Sequence, residues 1–183
     1  LSAEVLQTLP ACTTLEELQV IPHDTDLVFY EWMATRLPNL KTLEMFAKSS
    51  TLGEMEASNS VSKWEPIGQQ LGQITSLTKL VIRNTIDLTT EFADMFFQVC
   101  QRLPKLQSIQ SNGLNSSLAE LPYMVWSMKE RLTHVEVGPV NTDLLEALSH
   151  CNIVHFENVM IEAGTEELWQ SAFQRWTQLT KLK

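Results

Sequence analysis

One short pattern recurs down the chain and limits its possible folds more than any other feature. It consists of an apolar residue, two variable residues, a second apolar residue, one variable residue and usually a third apolar residue. It reads Leu15, Leu18 and Val20; Leu40, Leu43 and Met45; Leu77, Leu80 and Ile82; Leu106 and Ile109; Leu132, Val135 and Val137; Ile153 and Phe156; and Leu179 and Leu182. Successive first positions lie 25, 37, 29, 26, 21 and 26 residues apart, so most gaps fall between 25 and 29. Self-similarity at such a period marks a stack of supersecondary units, none of which can bury its apolar side alone.

The residues before each pattern are also alike. In VLQTLPACTTLEEL, WMATRLPNLKTL, FFQVCQRLPKLQSI and LLEALSHCNIVHF, an apolar stripe at helical spacing runs into a short break and then into the pattern. Three breaks hold a Leu-Pro pair, Leu9-Pro10, Leu37-Pro38 and Leu103-Pro104, because a helix must end before the chain turns into a strand. The unit is therefore strand, loop, helix, turn. From Glu91 to Leu103 the residues Phe92, Phe96, Val99, Cys100 and Leu103 share one face, with Thr89 or Thr90 as the N-cap. From Asp143 to His150 the stripe is Leu144, Leu145 and Leu148, capped from Asn141 or Thr142. A further helix opens at Thr165 and aligns Leu168, Ala172, Phe173 and Trp176, which leaves Trp169 off the stripe and open to solvent. The five tryptophans, Trp32, Trp64, Trp126, Trp169 and Trp176, fall mostly in such helical stretches and read as packing residues rather than a stacking platform.

A unit of this kind at this period resembles the leucine-rich repeats. It is most similar to the longer type with a true helix in each repeat, as in ribonuclease inhibitor and the sensor ends of NOD-like receptors. The resemblance covers essentially the whole chain. It implies an α/β solenoid, a curved horseshoe segment with parallel strands on the concave face and helices on the convex face. The family's asparagine, three residues past the third apolar position, is missing; His23, Lys48, Thr85, Leu114 and Val140 stand in its places. An irregular solenoid is implied, with its turns held by other means.

Residues 1–183 are read as a single repeat segment. Leu1 to Leu9 resemble the closing helix of a repeat whose strand is missing, and QLTKLK resembles a strand whose helix is missing. Neither end carries a polar cap, and the first residue is not Met. The chain is therefore expected to be a piece of a longer repeat domain that self-associates through its uncapped ends. The 37-residue gap holds about ten extra residues, and the stretch 48–66, KSSTLGEMEASNSVSKWEP, is expected to be an irregular inserted loop, with Trp64 and Ile67 returning to the core.

Charge and cysteine usage narrow the function classes. With 22 acidic and 13 basic residues the net charge is −9, which argues against nucleic acid, whose affinity comes from Lys and Arg on phosphates, and against anionic membrane surfaces. No apolar run approaches the roughly 18 residues of a membrane helix, so no membrane insertion is expected. Cys12, Cys100 and Cys151 are odd in number, far apart and without a Cys-x-x-Cys pair, which points to a reducing compartment and a cytoplasmic location. The sequon Asn115-Ser116-Ser117 is a short pattern that arises often by chance.

Side chains alternate across a strand, so residues between and just after the apolar positions face outward. These are Glu17, Gln19 and Ile21; Thr42, Glu44 and Phe46; Lys79, Val81 and Arg83; Ser108, Gln110 and Asn112; His134 and Glu136; His155, Glu157 and Val159; and Lys181. They form the expected partner-binding surface. None belongs to a glycine-rich phosphate loop, a metal-spaced cluster or a nucleophile elbow, so no catalytic residue, metal or cofactor is expected. His134 and Glu136 should lie beside His155 and Glu157, either as a metal-binding or pH-responsive patch or as an ordinary solvated face. His150 precedes Cys151, but neighbouring residues point apart, and a structural cysteine is the expected role.

The resemblance implies a non-enzymatic protein–protein interaction module. Its role would be ligand recognition or autoinhibition in an intracellular NOD-like innate immune receptor, with a protein or peptide ligand or neighbouring domains of the same chain as partner. Two other readings stay open. One is the substrate-recognition repeats of an F-box type ubiquitin ligase, whose repeats often place Cys before the first apolar position, as in Cys12-Thr13-Thr14-Leu15. The other is a leucine-rich-repeat GTPase-activating or other enzyme-linked protein, for which Arg83 and Asn112 are the outward candidates. Fold alone does not choose among them.

Overall fold

The computed structural model describes residues 8–20, 27–47, 64–84, 90–111, 119–157 and 166–183. Along them seven strands alternate with six helices: β1 Glu17–Val20, α1 Leu27–Arg36, β2 Thr42–Ala47, α2 Trp64–Leu71, β3 Lys79–Asn84, α3 Thr90–Arg102, β4 Ser108–Ser111, α4 Leu121–Ser127, β5 His134–Glu136, α5 Thr142–Ser149, β6 His155–Glu157, α6 Glu166–Arg175 and β7 Lys181–Leu182. The strands form one parallel sheet in chain order from β1 to β7. Every crossover thus moves one place in the same direction, and the shared handedness of such crossovers puts the helices on one side. Each helix packs against the next.

The recurring pattern is also the register. The second apolar positions, Leu18, Leu43, Leu80, Ile109, Val135, Phe156 and Leu182, pair directly from strand to strand. They face the helices, and those from Leu43 to Phe156 are fully buried together with the first positions Leu40, Leu77, Leu106, Leu132 and Ile153. Met33, Ile67, Phe96, Val99, Met124, Leu144, Leu148 and Ala172 close the core from the helical side. Burial weakens at the two ends of the stack: Leu15 and Leu18 are half-buried, and Leu182 is exposed.

A second regularity fixes where each strand after β1 begins. One carbonyl of the preceding unit accepts two consecutive backbone N–H groups. Lys41 and Thr42 donate to Glu16, Thr78 and Lys79 to Lys41, Gln107 and Ser108 to Thr78, Thr133 and His134 to Gln107, Val154 and His155 to Thr133, and Thr180 and Lys181 to Val154, all at 2.7–3.4 Å. The hydroxyls of Thr78, Thr133 and Thr180 donate to the same carbonyls, at 3.2, 3.3 and 3.3 Å. The turn before the strand is equally constrained. Leu37-Pro38-Asn39-Leu40 and Leu103-Pro104-Lys105-Leu106 close with bonds from the last N–H to the first carbonyl, at 3.2 and 3.3 Å, with proline at the second turn position, where its fixed φ is favoured. Three to five residues separate each helix from the next first apolar position, whereas five to sixteen separate a strand from the helix that follows.

The helices follow their stripes with one exception. In α5 the Leu144 N–H donates to Asn141 Oδ1 at 3.0 Å, so Asn141, one of the two expected residues, is the cap. In α6 the expected stripe is rotated: Trp169, placed off it by the sequence reading, is buried, and Phe173, placed on it, is exposed. Trp169, Ala172 and Trp176 form the inward set because the two indoles pack on Phe156, with ring centres 5.8 and 5.3 Å away. Gly68 lets α2 approach α3 closely, since a Cβ there would lie 2.8 Å from Met95 Cγ.

The bounds expected for an irregular loop, 48–66, run too far at their end, because Trp64, Glu65 and Pro66 belong to α2. Pro66 is tolerated there because first-turn N–H groups have no intrahelical acceptor to lose, and Ile67 returns to the core as expected. Residues 48–63 and 1–7, Ile21, Asn112, Val159, the sequon, Thr89 and Thr165 lie outside the described residues, as do His23, Lys48, Thr85 and Leu114. Val140, the remaining position where the family's asparagine would stand, is buried. Among the described residues no helix is long and apolar enough to cross a membrane.

Candidate interaction face

The outward side chains fall into rows because the register is unbroken. The first row runs Glu17, Thr42, Lys79, Ser108, His134, His155 and Lys181; the second runs Gln19, Glu44, Val81, Gln110, Glu136 and Glu157. Phe46 and Arg83 begin a third. In the first row Lys79, His134, His155 and Lys181 are or can become cationic, and in the second Glu44, Glu136 and Glu157 are carboxylates. Parallel strands about 4.8 Å apart make every such neighbour a contact.

Salt bridges knit the second row together. Arg83 reaches Glu44 Oε1 through Nε at 3.2 Å and Glu136 Oε1 through Nη1 at 3.1 Å, so one guanidinium joins β2 to β5. Gln19 Nε2 donates to Glu44 Oε2 at 2.8 Å. At the far end Glu157 pairs with Lys181 and, at 3.5 Å, with Lys183. The hydrogen bond from Lys181 is the main reason the Glu157 carboxyl is held below its ordinary pKa.

This arrangement corrects two of the expected surface residues. Val81 is only 2% exposed and Ser108 is buried as well. Val81 lies in the row between Glu44 and Glu136, the two carboxylates that Arg83 joins. Ser108 has the shortest side chain between Lys79 and His134, and its Oγ has no hydrogen-bond partner among the described residues. The other candidates present outward surface: Glu17 and Gln19 are exposed, and Thr42, Glu44, Phe46, Lys79, Arg83, Gln110, His134, Glu136, His155 and Glu157 are half-buried.

The paired histidines and glutamates come together as the spacing requires, His134 beside His155 and Glu136 beside Glu157. The imidazoles meet edge to face, with centres 4.3 Å apart and planes at 73°. Thr133 Oγ1 lies 2.7 Å from His134 Nδ1. Burial first, then the nearby charges of His155 and Lys79, hold His134 below its usual pKa. The carboxylates are engaged by Arg83, Lys181 and Lys183, and among the described residues no group of three or more His, Cys, Asp or Glu is placed to hold a metal ion.

His150 and Cys151 do not act on one another. The Cys151 thiol donates to the Ala147 carbonyl at 3.6 Å, and burial pushes its pKa up to about 12. The His150 ring packs against Trp126 at 4.6 Å. Cys100 is fully buried and its thiol is likewise pushed upward. All three cysteines are free.

Sequence reasoning missed the reach of Arg83 and the role of Lys183, although Lys183 stands two residues beyond Lys181 and so falls in line with the second row. It also assigned Trp126 to packing. Trp126 is 45% exposed and Tyr123 73%, both off the buried Leu121, Met124 and Val125 stripe of α4, so helical spacing carried the signal. No protein-family model matches the chain, and no curated protein matches its sequence.

Proposed function

We propose that the chain is a non-enzymatic protein-recognition module, a ribonuclease-inhibitor-like leucine-rich-repeat segment whose outward sheet face holds a protein or peptide. The observation that carries this reading is the set of unbroken rows of chemically distinct side chains across seven adjacent strands. Such a surface offers many weak, specific contacts and no single reactive centre, which suits a macromolecular partner. Curvature follows from spacing: packed helices sit 8–10 Å apart and strands about 4.8 Å apart, so a stack with one helix per strand must bend with its sheet inward. The reach of Arg83 supports the bend, since Glu44 and Glu136 stand three strands apart, roughly 14 Å along a flat sheet. By its resemblance the module would serve ligand recognition or autoinhibition in an intracellular NOD-like receptor, and three unpaired thiols suit a reducing cytoplasm.

Photo-crosslinking tests the face directly. A crosslinking residue placed at Thr42 or Gln110 is expected to capture a protein from extract of the source cells, and the same residue at Glu31, exposed on α1, is not. Arg83→Glu should weaken that capture by about tenfold, the cost of one well-placed interface residue. Capture from Glu31 alone, or capture indifferent to Arg83→Glu, overturns the assignment.

A further inference from the structure

A second surface lies on the helical side, away from the sheet face. Tyr123 and Trp126 are three residues apart on α4 and so share one exposed stripe. Large exposed rings set side by side are uncommon on a surface without a partner. A groove of about 590 Å³ runs between α4 and α5, with Pro122, Tyr123 and Trp126 on one wall and Asp143 and Glu146 on the other. Its volume lies within the range of pockets that seat a ligand group. Tyr123 also lines a neighbouring depression of about 270 Å³, which holds Asp94 and Glu120. Four carboxylates therefore flank the rings, and none of them is in a salt bridge among the described residues. The Lys129 Nζ ammonium sits 4.5 Å from the centre of the Trp126 ring, while Tyr123 is the more exposed of the two rings.

We propose that this groove docks a basic segment of a partner protein, with an arginine or lysine stem lying on Tyr123 and Pro122 and its charged head among Glu120, Asp143 and Glu146. The carboxylates select the occupant. An apolar or acidic segment would strip their water without replacing it, and a second copy of this chain, at net charge −9, would bring like charge to them. A guanidinium satisfies the carboxylates and stacks on the ring at once.

The probe is a hexapeptide of alternating arginine and leucine with blocked ends, titrated at low salt into the isotope-labelled chain and followed by amide chemical shifts. Shifts are expected at Glu120–Ser127 and Asn141–Ala147, weaker by about tenfold or more with Tyr123→Ala or Glu146→Gln, as for a central contact residue, and unchanged with Arg83→Glu. The same peptide with glutamate for arginine should produce none. Tyr123 is 73% exposed and off the buried stripe of α4, so its replacement leaves the fold intact. Equal shifts from both peptides, shifts confined to the sheet face, or no shift at millimolar peptide would each overturn the proposal.

Discussion

At the scale of single residues, neighbours on the next strand matter more than neighbours in sequence. Val81 was legible as an outward residue, but not as a buried one, because its surroundings are set by side chains of other strands, among them the Glu44 and Glu136 of its row that Arg83 joins. The histidine pair was legible from equivalent positions in two units, and its chemistry follows from contact. Because His134 is held below 6.5 in the folded chain, the unfolded chain binds more protons between that lowered value and 6.5, and stability falls as pH drops through this window. Glu157 behaves similarly at lower pH: its contribution is whole above 4.5 and is lost as pH falls from there through the lowered folded value. Urea midpoints measured from pH 8 to 5 should therefore decline for the parent chain and stay flatter for His134→Gln. An equal decline in both would show that His134 does not carry the upper window.

At the scale of elements, the apolar pattern foretold every strand and the Leu-Pro pairs foretold the turns, because both are consequences of local sterics and period. Orientation within a helix was less legible. Trp169 and Phe173 are both aromatic, and only the position of Phe156 on β6 decides which of them turns inward. Phe156→Ala should cost about 3–5 kcal/mol as a buried aromatic removed from a packed cluster and should alter tryptophan fluorescence through Trp169 and Trp176. A loss under about 1 kcal/mol in chemical denaturation would contradict that packing. Asn141→Ala removes the cap of α5 and should cost about 1 kcal/mol by the same measurement, with no change in the tryptophan signal.

At the scale of the whole molecule, strands and helices pair with the next unit, so stability is shared chiefly between nearest neighbours, with Arg83 as a side-chain link two units on. Half-buried Leu15 and Leu18 at one end and exposed Leu182 at the other predict a gradient. Amide exchange should be slowest in β3 to β5 and fastest in β1 and β7, and uniform protection would mean a cooperative globule instead. The carbonyl that receives two N–H groups at the start of each strand has a further consequence. Each strand is anchored at one fixed point, while the length between a strand and the following helix varies freely, so spacing and alignment are independent of each other. A whole unit is thus an exchangeable cassette: replacing the residues between two such carbonyls rewrites one column of the face and leaves every other column in place.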